Sequence, residues 1–208
     1  MNAQDRLTMP IGEVMFTQRA IRRLRSDPIS VEDIETMLDA AAKAPNGGNA
    51  QPGRFLAVND PAKITSLGKL YHEAWWAKRR DLQGWHKPED VPADDKTYQS
   101  AMRLADEIRD APLIVLPCAN KGTAHHSVLP AVQNLLLAAR ALGIGSTLTT
   151  LHPDVDGRVH ALLNIPSDVE VICCIPMGYP RGQFGPTSRL PTSRTTFFNS
   201  WGNPPPWD

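Results

Sequence analysis

Four arginines, Arg19, Arg22, Arg23 and Arg25, stand within seven residues of a chain whose formal net charge is zero. A guanidinium is a planar fork of donors that keeps its charge and matches two phosphate oxygens at once. In an extended stretch Arg19, Arg23 and Arg25 share one face and Arg22 takes the other. The cluster reads as a phosphate grip or as a salt-bridged surface segment. A second group lies in the loop Ala44-Pro45-Asn46-Gly47-Gly48-Asn49-Ala50-Gln51-Pro52. Its two glycines let the backbone approach a flat partner. Asn46, Asn49 and Gln51 offer both donors and acceptors, which suits a ring rimmed with carbonyls and nitrogens. A plain turn-rich connection is the competing reading. Thr147, Thr149 and Thr150 follow Gly143-Ile144-Gly145 and favour an extended stretch whose backbone could face a ligand. Arg189 stands alone between turns limited by Pro186 and Pro191.

Side chains that could serve as nucleophile, general base or metal ligand do not assemble in the sequence. His125 and His126 are adjacent, without the i, i+4 spacing of a helical metal pair. His152 and Asp154 lack a third ligand. The G-x-G at Gly143 has no third glycine and follows a helical pattern, which excludes a Rossmann fingerprint. No G-x-S-x-G or phosphate-binding P-loop occurs. Phosphate grips and a carbonyl-reading loop, without catalytic side chains, fit an enzyme whose bound cofactor supplies the chemistry.

The elements that must hold these groups read as follows. Ser30 and Asp33 begin a helix carrying Ile34, Met37, Leu38 and Ala41 on one face, and Pro45 ends it. Phe55–Val58 reads as a strand, and a helix follows from about Pro61 to Tyr71. Trp75 to Tyr98 is charged but holds three tryptophans, and reads equally as a lid or as a solvated helix pair with aromatic anchors. Leu113–Leu116 is a buried strand, Val128–Leu142 a central helix, and Val171–Ile175 a third strand. Cys173 and Cys174 point to opposite faces of that strand and, with Cys118, read as buried free thiols. Helices and strands mix without a βαβ rhythm, so the fold class is α+β.

At 208 residues the chain suits one domain, 1–208, ending in an arm of about 180–208 rich in proline and aromatics. Such an arm is best packed on a partner chain. The charge balance, 22 basic against 22 acidic side chains, implies no affinity for nucleic acid or an anionic membrane. With no apolar run of membrane length, the chain reads as soluble and cytoplasmic.

Taken in order, these segments resemble the nitroreductase family of FMN-dependent oxidoreductases. Gln18-Arg19-Ala20-Ile21-Arg22 is similar to its N-terminal phosphate motif, and Ala44–Pro52 to its A-P-S-x-x-N-x-Q-P loop. Gln133–Ala139 with Leu142–Gly145 is similar to its central helix and turn. Gly178-Tyr179-Pro180 and Arg189-Leu190-Pro191 are similar to its C-terminal motifs. Gln18 stands where an arginine is usual, Ala20 where a serine is, Asn46 where serine is common, Gly53 where a tryptophan often follows, and Thr187 where some members have lysine.

The resemblance implies a central, mostly antiparallel sheet flanked by helices, and an intertwined homodimer with FMN at its interface. Gln18, Arg19, Ala20, Ile21 and Arg22 would bind the cofactor, with Arg19, Arg22 and Arg189 on its phosphate. Pro45, Asn46, Gly47 and Asn49 would reach the flavin from the partner subunit, with Gln51 close by. Thr149, Thr150 and Leu151 would lie beside the isoalloxazine. The implied activity passes hydride from NAD(P)H through flavin N5 to an electron-poor acceptor such as a nitroaromatic or quinone. Reductive dehalogenation, flavin cleavage, or flavin binding without catalysis are the alternatives.

Overall fold

Strand β2 (Leu113–Asn120) is buried at every position but its last, so it needs cover on both faces. The computed structural model describes residues 2–207. Along β2, Ile114, Leu116 and Cys118 enter one apolar cluster, while Leu113 and Val115 enter another. Helices α4 (Pro61–Gln83), α5 (Lys96–Glu107) and α7 (Pro153–Leu163) cover the first face with Leu67, Tyr71, Leu104 and Val159. Helices α3 (Val31–Ala42) and α6 (Leu129–Ala141) cover the second with Met37, Val132 and Leu135. Two short helices, α1 (Ala3–Arg6) and α2 (Ile11–Thr17), precede this frame. No described helix is long and apolar enough to cross a membrane.

The sheet runs β1 (Arg54–Val58), β2, β5 (Ile175–Gly178), β3 (Gly145–Ser146), and β4 (Val169–Val171) pairs with the far half of β2. Every strand pair is antiparallel. The α+β class and the antiparallel sheet agree with the expectation from sequence.

Three expectations need correction. The helix from Pro61 does not stop near Tyr71; it continues to Gln83, ending at Gly84 in the left-handed region with φ 72°. Trp75 and Trp76 therefore belong to α4. The Trp75–Tyr98 region is instead the helix-pair arrangement: Trp85 and Tyr98 meet edge to face, with ring centroids 5.0 Å apart. The third strand is split. Cys118 pairs with Val171 and Val115 with Ile175, so three residues, Ile172–Cys174, oppose two, Leu116 and Pro117. Pro117 has no N–H for the ladder, and a bulge accommodates it. Across the bulge Ile172 N–H donates to Pro117 O at 2.9 Å. Cys174 turns away to exchange two backbone bonds with Thr149, at 2.7 and 3.0 Å. Cys173 and Cys174 do face opposite cores.

Local signals elsewhere do what the sequence asks. The Ser30 hydroxyl accepts from Asp33 N–H at 3.0 Å and caps α3. The 23-residue α4 starts on an Asp60 cap with proline in its first turn.

Candidate functional site

The arginine segment leaves α2 extended and is stitched to the sheet edge. Ala20 bridges Ser146, and Ile21 N–H donates to Ser146 O at 2.9 Å. Leu24 bridges Pro180, and Arg25 N–H donates to Tyr179 O at 2.7 Å. The approach is close enough to require glycine: a Cβ on Gly145 would lie 2.7 Å from Ile21 Cγ2. Gly143, at φ 73°, ends α6, so the G-x-G motif is a helix cap followed by a packing contact.

Arg19, Ala20, Ile21, Arg22 and Arg23 line a cavity of about 290 Å³ with Ser100 and the segment Pro180–Gln183. Among the described residues, Arg19, Arg22 and Arg23 form no ion pair, while Arg25 pairs with Asp27 at 3.3 Å. A salt-bridged surface segment would have neutralised them. Three unpaired guanidiniums around one cavity are instead set up for an anion. The hollow beside Arg6 has the opposite character, lined by Glu32, Glu35 and Asp39.

The stretch after β3 begins at Ser146, to which the arginine segment is bonded. Thr149 is held by the Cys174 backbone and by the Tyr71 hydroxyl, at 2.8 Å. Burial pushes the Tyr71 hydroxyl up to about 12, so it stays protonated, and Arg22 is near enough to act on it. Thr150 is exposed, and Leu151 packs against the α4 cluster. Lys78, two helical turns after Tyr71, donates to Thr150 O and, at 2.6 Å, to Thr150 Oγ1. Burial, with the Arg79 charge beside it, lowers Lys78 to about 8. The expected stretch Thr149–Leu151 is thus tied to α4 through Tyr71 and Lys78, and Lys78 is a further cation that sequence reading did not single out. Its signal was the seven-residue spacing from Tyr71 on one helix, hidden because α4 was read too short.

The C-terminal arm arrives from the other end of the chain. Arg181 Nε donates to Leu24 O at 2.8 Å, and Thr187 N–H donates to Phe16 O at 3.1 Å. A Cβ on Gly185 would lie 3.9 Å from an Arg19 guanidinium nitrogen. Arg189 itself is exposed, donating to Ser188 O at 2.7 Å. The arm therefore runs beside Arg19 at Gly185, four residues before Arg189. Gln18 is half-buried at the end of α2.

The glycine-asparagine loop sits elsewhere. Gly47 N–H donates to Ser127 Oγ, just before α6. Arg140, in the last turn of α6, touches the arginine segment instead, donating to Thr17 Oγ1 at 2.7 Å. A helix of 13 residues spans about 20 Å, so Pro45, Asn46, Gly47, Asn49 and Gln51 lie at the end of α6 far from Arg19 in the same protomer. The loop is exposed, and Gly48, Asn49 and Gln51 lie in the left-handed region with φ of 57°, 54° and 49°. Asn46 is not free to read a ring with its carbonyl, because Oδ1 accepts from Gln51 N–H at 2.8 Å. It holds the loop's shape.

His152 Nδ1 accepts from Asp154 N–H and caps α7. No cluster of three His, Cys, Asp or Glu that could hold a metal occurs among the described residues.

With this geometry in place, comparison with known proteins decides the family. The model of the nitroreductase family matches residues 16–179. The chain belongs to the nitroreductase family. Family membership makes it an NAD(P)H-dependent oxidoreductase by class. It is 29% identical to an NADH dehydrogenase of Thermus thermophilus, over 92% of this chain and 98% of that one. It is also 29% identical to an iodotyrosine deiodinase of Thermotoga neapolitana, over 78% and 84%. The fold matches the FMN-dependent nitroreductase of Mycobacterium smegmatis, solved in complex with NADPH. The TM-score is 0.70, at 21% identity, covering 91% of this chain and 97% of that one.

Proposed function

We propose that this nitroreductase binds FMN between two copies of itself and reduces an electron-poor acceptor, a nitroaromatic or quinone, with NAD(P)H. The observation that carries the reading is the meeting of unpaired Arg19 and Arg22 with the Ser146–Leu151 stretch, fixed by the Ile21–Ser146 and Tyr71–Thr149 bonds. The donor set fits the group. Guanidiniums without carboxylates suit a phosphate dianion, and extended backbone beside Lys78 suits a ring edge rich in acceptors.

In this reading Arg19 and Arg22, with Arg189 from the arm, hold the phosphate. Thr149, Thr150 and Leu151 border the ring system, and Lys78 places positive charge beside it. Bound FMN supplies the redox chemistry, taking hydride from NAD(P)H and passing it to the acceptor. The protein's part is to hold the phosphate, orient the ring and direct charge at it.

The distance between the Asn46–Gln51 loop and Arg19 supports the dimer. One protomer separates the two groups by the length of α6, so a single ligand touching both needs a loop from a second copy. Exposed Ile11, Met15, Phe16, Phe197, Phe198 and Trp201 supply apolar surface for that pairing. The deiodinase likeness supports one alternative on the same site, reductive dehalogenation of an aromatic substrate.

The test is the visible spectrum of the purified protein, identification of the released chromophore, and NADPH oxidation with menadione, nitrofurazone and 3-iodotyrosine in parallel. A flavin spectrum with turnover of menadione or nitrofurazone supports the proposal. Turnover of iodotyrosine alone selects the alternative. A colourless protein that takes up no added FMN refutes both.

A further inference from the structure

Arg140 is the charged residue that the site's own chemistry leaves unexplained. It is 8% exposed and ends α6, the central helix. A buried guanidinium needs partners for its charge and its donors. It finds them on segments far apart in sequence. Nε donates to Thr17 Oγ1 at 2.7 Å, and one terminal nitrogen lies 3.4 Å from Glu13 Oε1; both belong to α2. Its carbon centre sits 4.2 Å from the Phe184 ring centroid, in the C-terminal arm. Thr17 is two residues before Arg19. Phe184 precedes Gly185, whose Cβ position is 3.9 Å from the Arg19 guanidinium.

Resting on the reading just proposed, we infer that Arg140 is a positioning residue for the flavin phosphate: it clamps the arginine segment and the C-terminal arm to one helix end, so that guanidiniums from opposite ends of the chain address one anion. Its own fork is committed to Thr17 and Glu13, and its face to Phe184, so it acts through Arg19 and Arg189. A cation over an aromatic face away from water is a directional contact, which lysine reproduces poorly. A packing residue alone would stabilise the fold without favouring one flavin over another. A positioning residue changes the affinity for the phosphate and leaves the ring's affinity alone.

The experiment compares FMN with riboflavin, which lacks the phosphate. Dissociation constants for both are measured by quenching of flavin fluorescence in the wild-type protein and in Arg140→Lys, Arg140→Met and Phe184→Leu. The expected result is an FMN constant raised roughly tenfold in Arg140→Met, the size of one misplaced contact, with the riboflavin constant unchanged. Arg140→Lys and Phe184→Leu shift FMN in the same direction by less. Should Arg140→Met fail to fold, those two milder variants decide the matter. Equal weakening of both flavins, or no change in either, overturns the inference. A wild-type protein with no preference for FMN over riboflavin overturns the proposed function itself, which separates the two failures.

Discussion

Arg19 and Arg189 show how residue type settles chemistry only after pairing is known. In sequence, four arginines could be a solvated face. In the structure three of them pair with no acid among the described residues, which leaves their charge available. Arg19→Ala with Arg189→Ala is therefore expected to weaken FMN binding by roughly 3 kcal/mol, the worth of two charge-assisted hydrogen bonds. Equilibrium dialysis measures this, and unaltered retention would remove both residues from the site. Lys78 allows a test that needs no ligand. Its amine is lowered to about 8 in the folded protein, against 10.5 for a free side chain. Below pH 8 both states hold the proton, and the buried charge is a full cost. As pH rises through 8 the folded state releases it first, so the unfolded state binds more protons and stability increases. Above about 9 the buried thiols act oppositely: burial raises Cys118 to about 11 and Cys173 to about 12, so unfolded thiols ionise first. The clean window is pH 8 to 9. There the urea midpoint of the wild-type protein should gain on that of Lys78→Met. A constant difference between the two would show that the amine is not desolvated. The arginine cluster was legible from residue type, whereas Lys78 was not, because its partner Thr150 is 72 positions away.

At the scale of elements, the helix caps and apolar runs were readable because each depends on neighbours in the chain. Ser30 announces α3, and Leu113–Leu116 announces a strand buried on both faces. What sequence could not show was the bulge at Ile172–Cys174, since its cause, Pro117, sits on the paired strand. Nor could it show that Trp75 and Trp76 continue α4, because a mixed charged and aromatic stretch has no clear period. The bulge matters to the proposed site because it turns Cys174 toward Thr149 and fixes that extended stretch after β3. β3 is only two residues long, so the site's edge depends on how closely Gly145 lets Ile21 approach. Gly145→Ala puts a methyl 2.7 Å from Ile21 Cγ2 and 3.2 Å from Gly178 O. The expected result is a loss of about 1–3 kcal/mol in denaturant unfolding, together with weaker FMN binding, because the strain displaces the segment carrying Arg19 and Arg22. Gly12→Ala is the control, having nothing within 4 Å. A Gly145→Ala protein as stable as the wild type would mean that Ile21 yields freely and that the edge is not held by this contact.

The whole molecule poses the sharpest question, because one protomer leaves the glycine-asparagine loop and the arginine segment at opposite ends of α6. Trp201 is 89% exposed and Phe16 74%, far above what a solitary soluble chain usually shows for such residues. Near the end of the arm Phe197 stacks on Trp201 at 4.4 Å and Phe198 on Trp207 at 6.0 Å. A shared site predicts complementation between damaged copies. Arg19→Ala/Arg189→Ala removes the grip, and Asn46→Ala removes the carbonyl that holds Gln51 and shapes the loop. Each homodimer then carries the same lesion in both sites and should retain little flavin. A mixed dimer, made by co-expression with two affinity tags, places both lesions in one site and leaves the other intact. It should hold one FMN per dimer and recover about half the wild-type NADPH oxidation. Sites built within single protomers would give no recovery on mixing. That outcome, or a monomeric mass in sedimentation equilibrium, would oblige the loop and the arginines to serve different ligands.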